Sequence, residues 1–257
     1  MKPQAQWIAF STIVRREIRR FMRIWMQTLL PPAITMTLYF IIFGALIGSR
    51  IGEMDGFSYM EFVVPGLIMM SVLTNSYSNV VSSFFSTKFQ RNIEELLVSP
   101  VPNYIILLGY VVGGVSRGLM VGLVVILVSL LFTDLNIHNV GVMIAIVLLT
   151  AILFSLAGFI NAVFARNFDD ISIVPTFVLT PLTYLGGVFY SMSLLPEFWQ
   201  GVSKLNPILY MVNAFRYGML GISDVDIRWA FMMVVLFAAA LFGYALYLLN
   251  HGVKLRS

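Results

Sequence analysis

The chain contains no cysteine in 257 residues, which excludes disulfides, thiolate metal sites and a cysteine nucleophile. Acids are missing where they would matter most. Six long apolar runs, roughly Thr28–Gly48, Phe62–Thr87, Val101–Thr133, Val140–Ala165, Ile171–Leu195 and Trp229–Asn250, hold none of the twelve Asp and Glu residues. A membrane protein without a buried carboxylate has little with which to catch protons or sodium ions during a transport cycle. The phosphate-loop pattern Gly-x4-Gly-Lys-Ser/Thr is absent too, so ATP is not bound by that route. The two histidines, His138 and His251, fall on opposite sides of the expected membrane and cannot share a metal. No His-Glu-x-x-His helix or paired intramembrane acids occur, so neither an enzyme nor a bound cofactor is expected.

What the chain has is apolar length: 59% hydrophobic residues against 11% charged, and a mean hydropathy of +0.90. Each run can cross a hydrocarbon core about 30 Å thick, which takes roughly 20 helical residues. Backbone polar groups in lipid must be satisfied within the segment, so the fold class is all-α, a polytopic bundle of six transmembrane helices. The runs are continuous rather than alternating, which excludes a β-barrel. One domain is expected over 1–257: an interfacial helix in 1–27, the bundle in 28–250 and a tail in 251–257. The first run follows a basic region without a small-residue cleavage pattern, and reads as an uncleaved span.

Orientation follows from Lys and Arg on alternate sides. One side holds Lys2, Arg15, Arg16, Arg19, Arg20, Arg23, Lys88, Arg91, Arg166, Lys254 and Arg256; the other holds Arg50, Lys204, Arg216 and Arg228. Both termini are therefore expected in the cytoplasm. The net charge of +4 is a topology signal and gives no reason to expect a nucleic-acid partner.

Residues 7–25 read as an amphipathic helix lying on the membrane. Trp7, Phe10, Val14, Ile18, Phe21 and Trp25 fall on one side, with Arg15, Arg16, Arg19, Arg20 and Arg23 opposite, suited to anionic membrane lipids. Pro31 and Pro32 are expected to break the chain at the first span, and Pro65-Gly66 to open the second. That second span carries a polar belt, Ser71 to Ser83, that either bonds neighbouring helices or lines a polar route. Between spans two and three, Ile93, Leu96 and Leu97 share a helical face, Arg91 and Glu95 are spaced for an ion pair, and Pro100 and Pro102 stop the helix. Such a helix is either a solvated connector or an apolar knob for a groove on a soluble partner.

Gly114, Gly118 and Gly122, with Gly109 and Gly113, give span three a close-packing ridge and a central place in the bundle. Arg117, the only ionisable residue inside any run, has four readings. It snorkels, caps a neighbouring helix, pairs with Asp169 or Asp170, or meets a substrate phosphate or carboxylate. Pro175, Pro181 and Gly186-Gly187 interrupt span five as possible hinges. Beyond it, Phe198–Leu220 is too apolar for a free loop and too interrupted for a span. It reads as re-entrant helices, with Lys204 and Arg216 at the outer headgroups.

Four ordered fragments then resemble the membrane subunit of a type-2 ABC exporter over essentially the whole chain. They are Arg16-Glu17-x-x-Arg20-x-x-Arg23 with Gln27, Pro31 and Leu38-Tyr39-Phe40-x-x-Phe43-Gly44; Pro65-Gly66; Arg91 with Glu94-Glu95-Leu96-Leu97 and Pro100; and Gly186-Gly187-x-Phe189 through Leu195-Pro196, Leu205-Asn206-Pro207, Asn213-x-Phe215-Arg216 and Leu220-Gly221. Asn92-Ile93 departs from the Gly-Thr common before the glutamate. The resemblance implies a homodimeric permease in a bacterial inner membrane, seated on two copies of a separate ABC ATPase that hydrolyses ATP. It assigns ATPase coupling to Arg91, Glu94, Glu95, Leu96 and Leu97. It assigns an outer gate of re-entrant helices to Pro196, Asn206, Pro207 and Arg216, with spans two and five lining the path. The rival functions are a passive channel or lipid scramblase, and an ion-coupled secondary transporter.

Overall fold

The computed structural model describes residues 2–254; Arg256, counted above on the basic side, lies outside them. Helix α1 (Pro3–Arg23) runs almost directly into α2 (Trp25–Tyr39), which continues through a π-helical stretch, Phe40–Gly48, into α3 (Ser49–Ile51). A small hairpin follows, β1 (Glu53–Met54) against β2 (Phe57–Ser58), turning on Asp55 and Gly56 at positive φ as Asp-Gly turns do. Next come α4 (Tyr59–Phe89), α5 (Asn92–Val98), α6 (Asn103–Ser129) and α7 (Val140–Phe164). A broken path then runs through α8 (Asp170–Val174), a π-helical stretch Pro175–Leu179, and α9 (Thr180–Tyr184). Helices α10 (Glu197–Lys204), α11 (Pro207–Leu220) and α12 (Ile227–Asn250) complete the chain.

Among the described residues, four helices are long and apolar enough to cross a membrane: Trp25–Ile51, Asn103–Ser129, Val140–Phe164 and Ile227–Asn250. The second and fifth expected spans differ from these for physical reasons. Helix α4 has 31 residues, but hydroxyls and amides along its middle dilute its hydropathy. The fifth is three five-residue pieces ending at Tyr184, well short of Leu195.

The prolines do not act as expected. Pro31 and Pro32 lie inside α2, and the chain turns at Ile24 instead. Pro65 likewise lies inside α4, which starts six residues earlier, where Ser58 and Glu61 form a reciprocal cap. A proline removes one i→i−4 bond, and a long helix packed by its neighbours survives that loss. At Pro181 the π-helical turn before it absorbs the strain, and the Thr180 hydroxyl donates to the Pro175 carbonyl at 2.9 Å.

Helix α6 packs against α1, α2, α4, α7 and α12. Its glycines serve three neighbours. Gly114, Gly118 and Gly122 receive Val72, Ser76 and Val80 of α4, Gly114 also meets Ser155 of α7, and Gly109 and Gly113 receive Ile13 and Glu17 of α1. A methyl carbon on Gly113 would lie 2.5 Å from Glu17 Cβ, so the two backbones approach too closely for any side chain there.

This contact corrects the expected facing of α1. Its buried stripe is Ile13, Glu17 and Phe21, with Glu17 only 1% exposed, while Trp7 remains 67% exposed. The helix is turned by roughly 60°, at 100° per residue, toward its arginines. The reason is that Arg16 and Arg20 find partners in the bundle.

Candidate functional site

Three polar sites lie along the bundle. At the end carrying α5, the Arg16 guanidinium donates to the Tyr110 hydroxyl at 2.7 Å, and that hydroxyl donates to Thr87 Oγ1 at 3.2 Å. Arg20 donates to Asn79 Oδ1 at 2.7 Å and to the Asn79 carbonyl at 2.9 Å. Glu17 lies 3.4 Å from each arginine. Burial draws the Arg16 pKa down, but the Tyr110 and Glu17 oxygens outweigh it and hold the value above the ordinary one. Lys88 closes the same end by donating to the Val163 and Ala165 carbonyls, at 2.6 and 2.9 Å, at the last turn of α7. The start of α6 and the end of α12 meet here as well, with Asn103 donating to Asn250 Oδ1 at 2.8 Å.

Helix α5 projects from this end. Arg91 takes a left-handed φ of 61° and stands outside the helix as its N-cap, which breaks the i,i+4 register. No ion pair joins Arg91 to Glu95 among the described residues. The apolar face also turns the other way from a partner-facing knob. Ile93 is 1% exposed, and Leu96 and Leu97 pack partly against the chain's own core. Arg91, Glu94, Glu95 and Val98 are left exposed.

Midway along the bundle a cavity of about 330 Å³ separates α2 from α4. Arg117 enters it from α6 and donates to Asn75 Oδ1 at 3.3 Å. It does not pair with Asp169 or Asp170: Asp170 accepts instead from the Arg166 and Asn167 backbone N–H groups. The polar belt of α4 divides here. Ser71, Asn75, Ser76, Asn79 and Ser83 are buried against neighbours, whereas in the row Thr74, Ser78, Ser82 and Ser86, spaced four apart, Thr74 is exposed and the three serines are half-buried.

At the opposite end, Arg216 is 1% exposed and does not face headgroups. Its guanidinium donates to the Gly187 carbonyl at 2.6 Å and lies 3.9 Å above the Phe62 ring. Gly187 has a φ of +70°, which turns its peptide toward that arginine. Asn206 caps α11 through the Ile208 N–H at 3.0 Å and donates to the Leu182 carbonyl at 2.6 Å. Pro207 occupies the first turn of α11, and Pro196 precedes α10 as its N-cap. Arg216 and Asn206 thus tie α11 to the chain just after α9, while Pro196 stands apart at α10.

Sequence reasoning missed the Arg16–Glu17–Arg20 cluster, Asn79 and Tyr110 as one network. A signal was available: the four-residue spacing of Ile13, Glu17 and Phe21 matches the spacing of Gly109 and Gly113.

The arrangement defines a helical membrane protein with a polar, cation-bearing interior and no catalytic constellation among the described residues. Residues 8–220 match the family model for the ABC-2 type transporter, and the chain belongs to that family. It is 63% identical over 251 residues to the inner membrane transport permease YadH of Escherichia coli (strain K12), covering 98% of each chain. It is also 24% identical over 216 residues to nodulation protein J of Rhizobium meliloti (strain 1021), covering 84% of this chain and 81% of that protein. The chain is a transport permease.

Proposed function

We propose that this chain is the permease subunit of an ATP-driven exporter in a bacterial inner membrane. It works as a homodimer on two separate ATPase subunits, with both termini in the cytoplasm. The observation that carries this reading is the incompletely covered row on α4, exposed at Thr74 and half-buried at Ser78, Ser82 and Ser86. Hydroxyls exposed to hydrocarbon are costly, so a second copy or a water-lined path covers them. The α8–α9 segment is also largely uncovered, with Phe177 73% exposed, as expected of the other wall of that seam.

In this reading α4 and the 170–184 path complete six crossings, α1 lies at the cytoplasmic face, and α10 and α11 are re-entrant helices of an outer gate. Helix α5 is the coupling element. Ile93, Leu96 and Leu97 anchor it to the bundle, and Arg91, Glu94, Glu95 and Val98 meet the ATPase. A push on α5 passes directly into α4, since only a left-handed turn at Arg91 separates them. The dimer seam then opens outward, away from the basic end.

Charge reversal at both Glu94 and Glu95 tests this. In liposomes holding the permease with its ATPase, the E94K/E95K pair should abolish ATP-driven export while leaving the fold intact. Full export by that variant would overturn the coupling role, and flux from the permease alone without ATPase would identify a channel or scramblase.

A further inference from the structure

Arg117 is fourteen residues into α6, about 21 Å from its start at 1.5 Å per residue and midway along the helix. Its guanidinium turns into the bundle toward Asn75, so snorkelling to a membrane face does not describe it. No acid pairs with it among the described residues, and none lines its cavity. The charged neighbour acting on it is Arg20, a second cation. Its Nε is buried without a hydrogen-bond partner, and so is the Ser71 hydroxyl in the same cavity. Asn75 accepts from Arg117 and donates to the Ser71 carbonyl at 3.0 Å. A half-buried cation with no acid beside it and a buried hydroxyl without a partner, both in the lining of one space, favour an acceptor carrying negative charge.

The cavity of about 330 Å³ lies at the small end of ligand sites. Its α2 wall includes Pro31, Thr35 and Tyr39. Each is preceded in sequence by a residue about half exposed, Leu30, Ile34 and Leu38, which at 100° per residue form an apolar strip beside the opening. A largely apolar pocket holding one cation and a few hydroxyl and amide groups, bordered by an aliphatic strip, matches a molecule with an anionic head and a hydrocarbon tail.

We propose that this cavity binds the head of an anionic amphiphile, a phosphate, sulfate or carboxylate oxygen pairing with Arg117 and Ser71 while the tail lies along α2. This rests on the permease reading and adds the class of molecule that the path accepts. The same chemistry belongs to a cargo molecule and to a resident membrane lipid.

The test uses the full chain in neutral maltoside micelles without ATPase or nucleotide, with fluorescent dodecyl phosphate and the matching dodecanol as probes. The phosphate should bind at least tenfold more tightly than the alcohol. Arg117→Gln should erase the preference, Arg117→Lys should keep part of it, and Ser71→Ala should weaken phosphate binding severalfold. Thr74→Ile, which fills the cavity edge without touching charge, should also weaken it and serves if Arg117→Gln does not fold. Equal binding of both probes, or a preference that survives Arg117→Gln, overturns the proposal; so does displacement by inorganic phosphate at the probe's own concentration. Adding the ATPase and ATP in liposomes separates the sources: a probe that is exported is cargo, one retained through turnover is a resident lipid, and both support the site. Because binding is read without nucleotide, its failure leaves the export reading standing, and a failure of export leaves the binding result standing.

Discussion

The contact between α1 and α6 gives the sharpest quantitative expectation. In Gly113→Ala the new methyl carbon would sit 2.5 Å from Glu17 Cβ and 3.0 Å from Cγ. Carbon atoms prefer about 3.5–4.0 Å, so α1 must retreat by roughly 1 Å. Rotation of the Glu17 side chain does not help, because the Cβ is fixed by its backbone. A retreat of that size lengthens the 2.7 Å bonds from Arg16 to Tyr110 and from Arg20 to Asn79 beyond hydrogen-bonding range. Overpacking costs about 1–3 kcal/mol, and a lost hydrogen bond to a charged group about 1.5–3 kcal/mol. Partial exposure of both arginines reduces the second figure, so a total of about 2–4 kcal/mol favours detachment of α1. The chain has no cysteine, so Phe21→Cys, at a position 1% exposed in the parent, reports opening by maleimide labelling. At tenfold per 1.4 kcal/mol, Gly113→Ala should speed that labelling by about 30-fold or more. An unchanged labelling rate would refute the close approach of the two helices.

Other substitutions test the remaining ties. Arg216→Leu leaves the Gly187 carbonyl unpaired and removes the stack on Phe62, which should cost about 2–4 kcal/mol; a thermal melt of the purified protein measures it, and an unchanged melt denies the arginine its structural role. Lys88→Met removes two bonds to the last carbonyls of α7. It should cost about 1–2 kcal/mol and raise hydrogen exchange around Val163–Ala165, with Lys88→Arg restoring most of the protection.

Much of this protein was legible in its sequence because the bilayer leaves so few options. Backbone groups in hydrocarbon must be paired within a helix, so long apolar runs specify helices directly. The glycines at four-residue spacing likewise announce close helix contact. The α1 network was not legible. Amphipathicity alone placed Trp7, Phe10, Val14, Ile18, Phe21 and Trp25 on the membrane-facing side, but it cannot register that Tyr110 and Asn79 wait on other helices for the arginines. Ile93, Leu96 and Leu97 were correctly read as one face, yet whether that face meets the bundle or a partner depends on the left-handed turn at Arg91. A lone sequence does not disclose that turn.

By itself the sequence determined the helical class, the absence of acids from the apolar runs and the apolar crossings, because each is a property of single segments; that Glu17 is nonetheless buried against α6 was decided by packing. Tertiary structure alone decided that Pro31, Pro32 and Pro65 lie within helices. It also decided that Arg216 is buried on Phe62, that Arg117 opens into a cavity free of acids, and that Thr74 stays exposed and Ser78, Ser82 and Ser86 only half-buried. Those facts depend on which helices are neighbours, and a side chain's partner is fixed by packing between segments rather than by the order of residues within one.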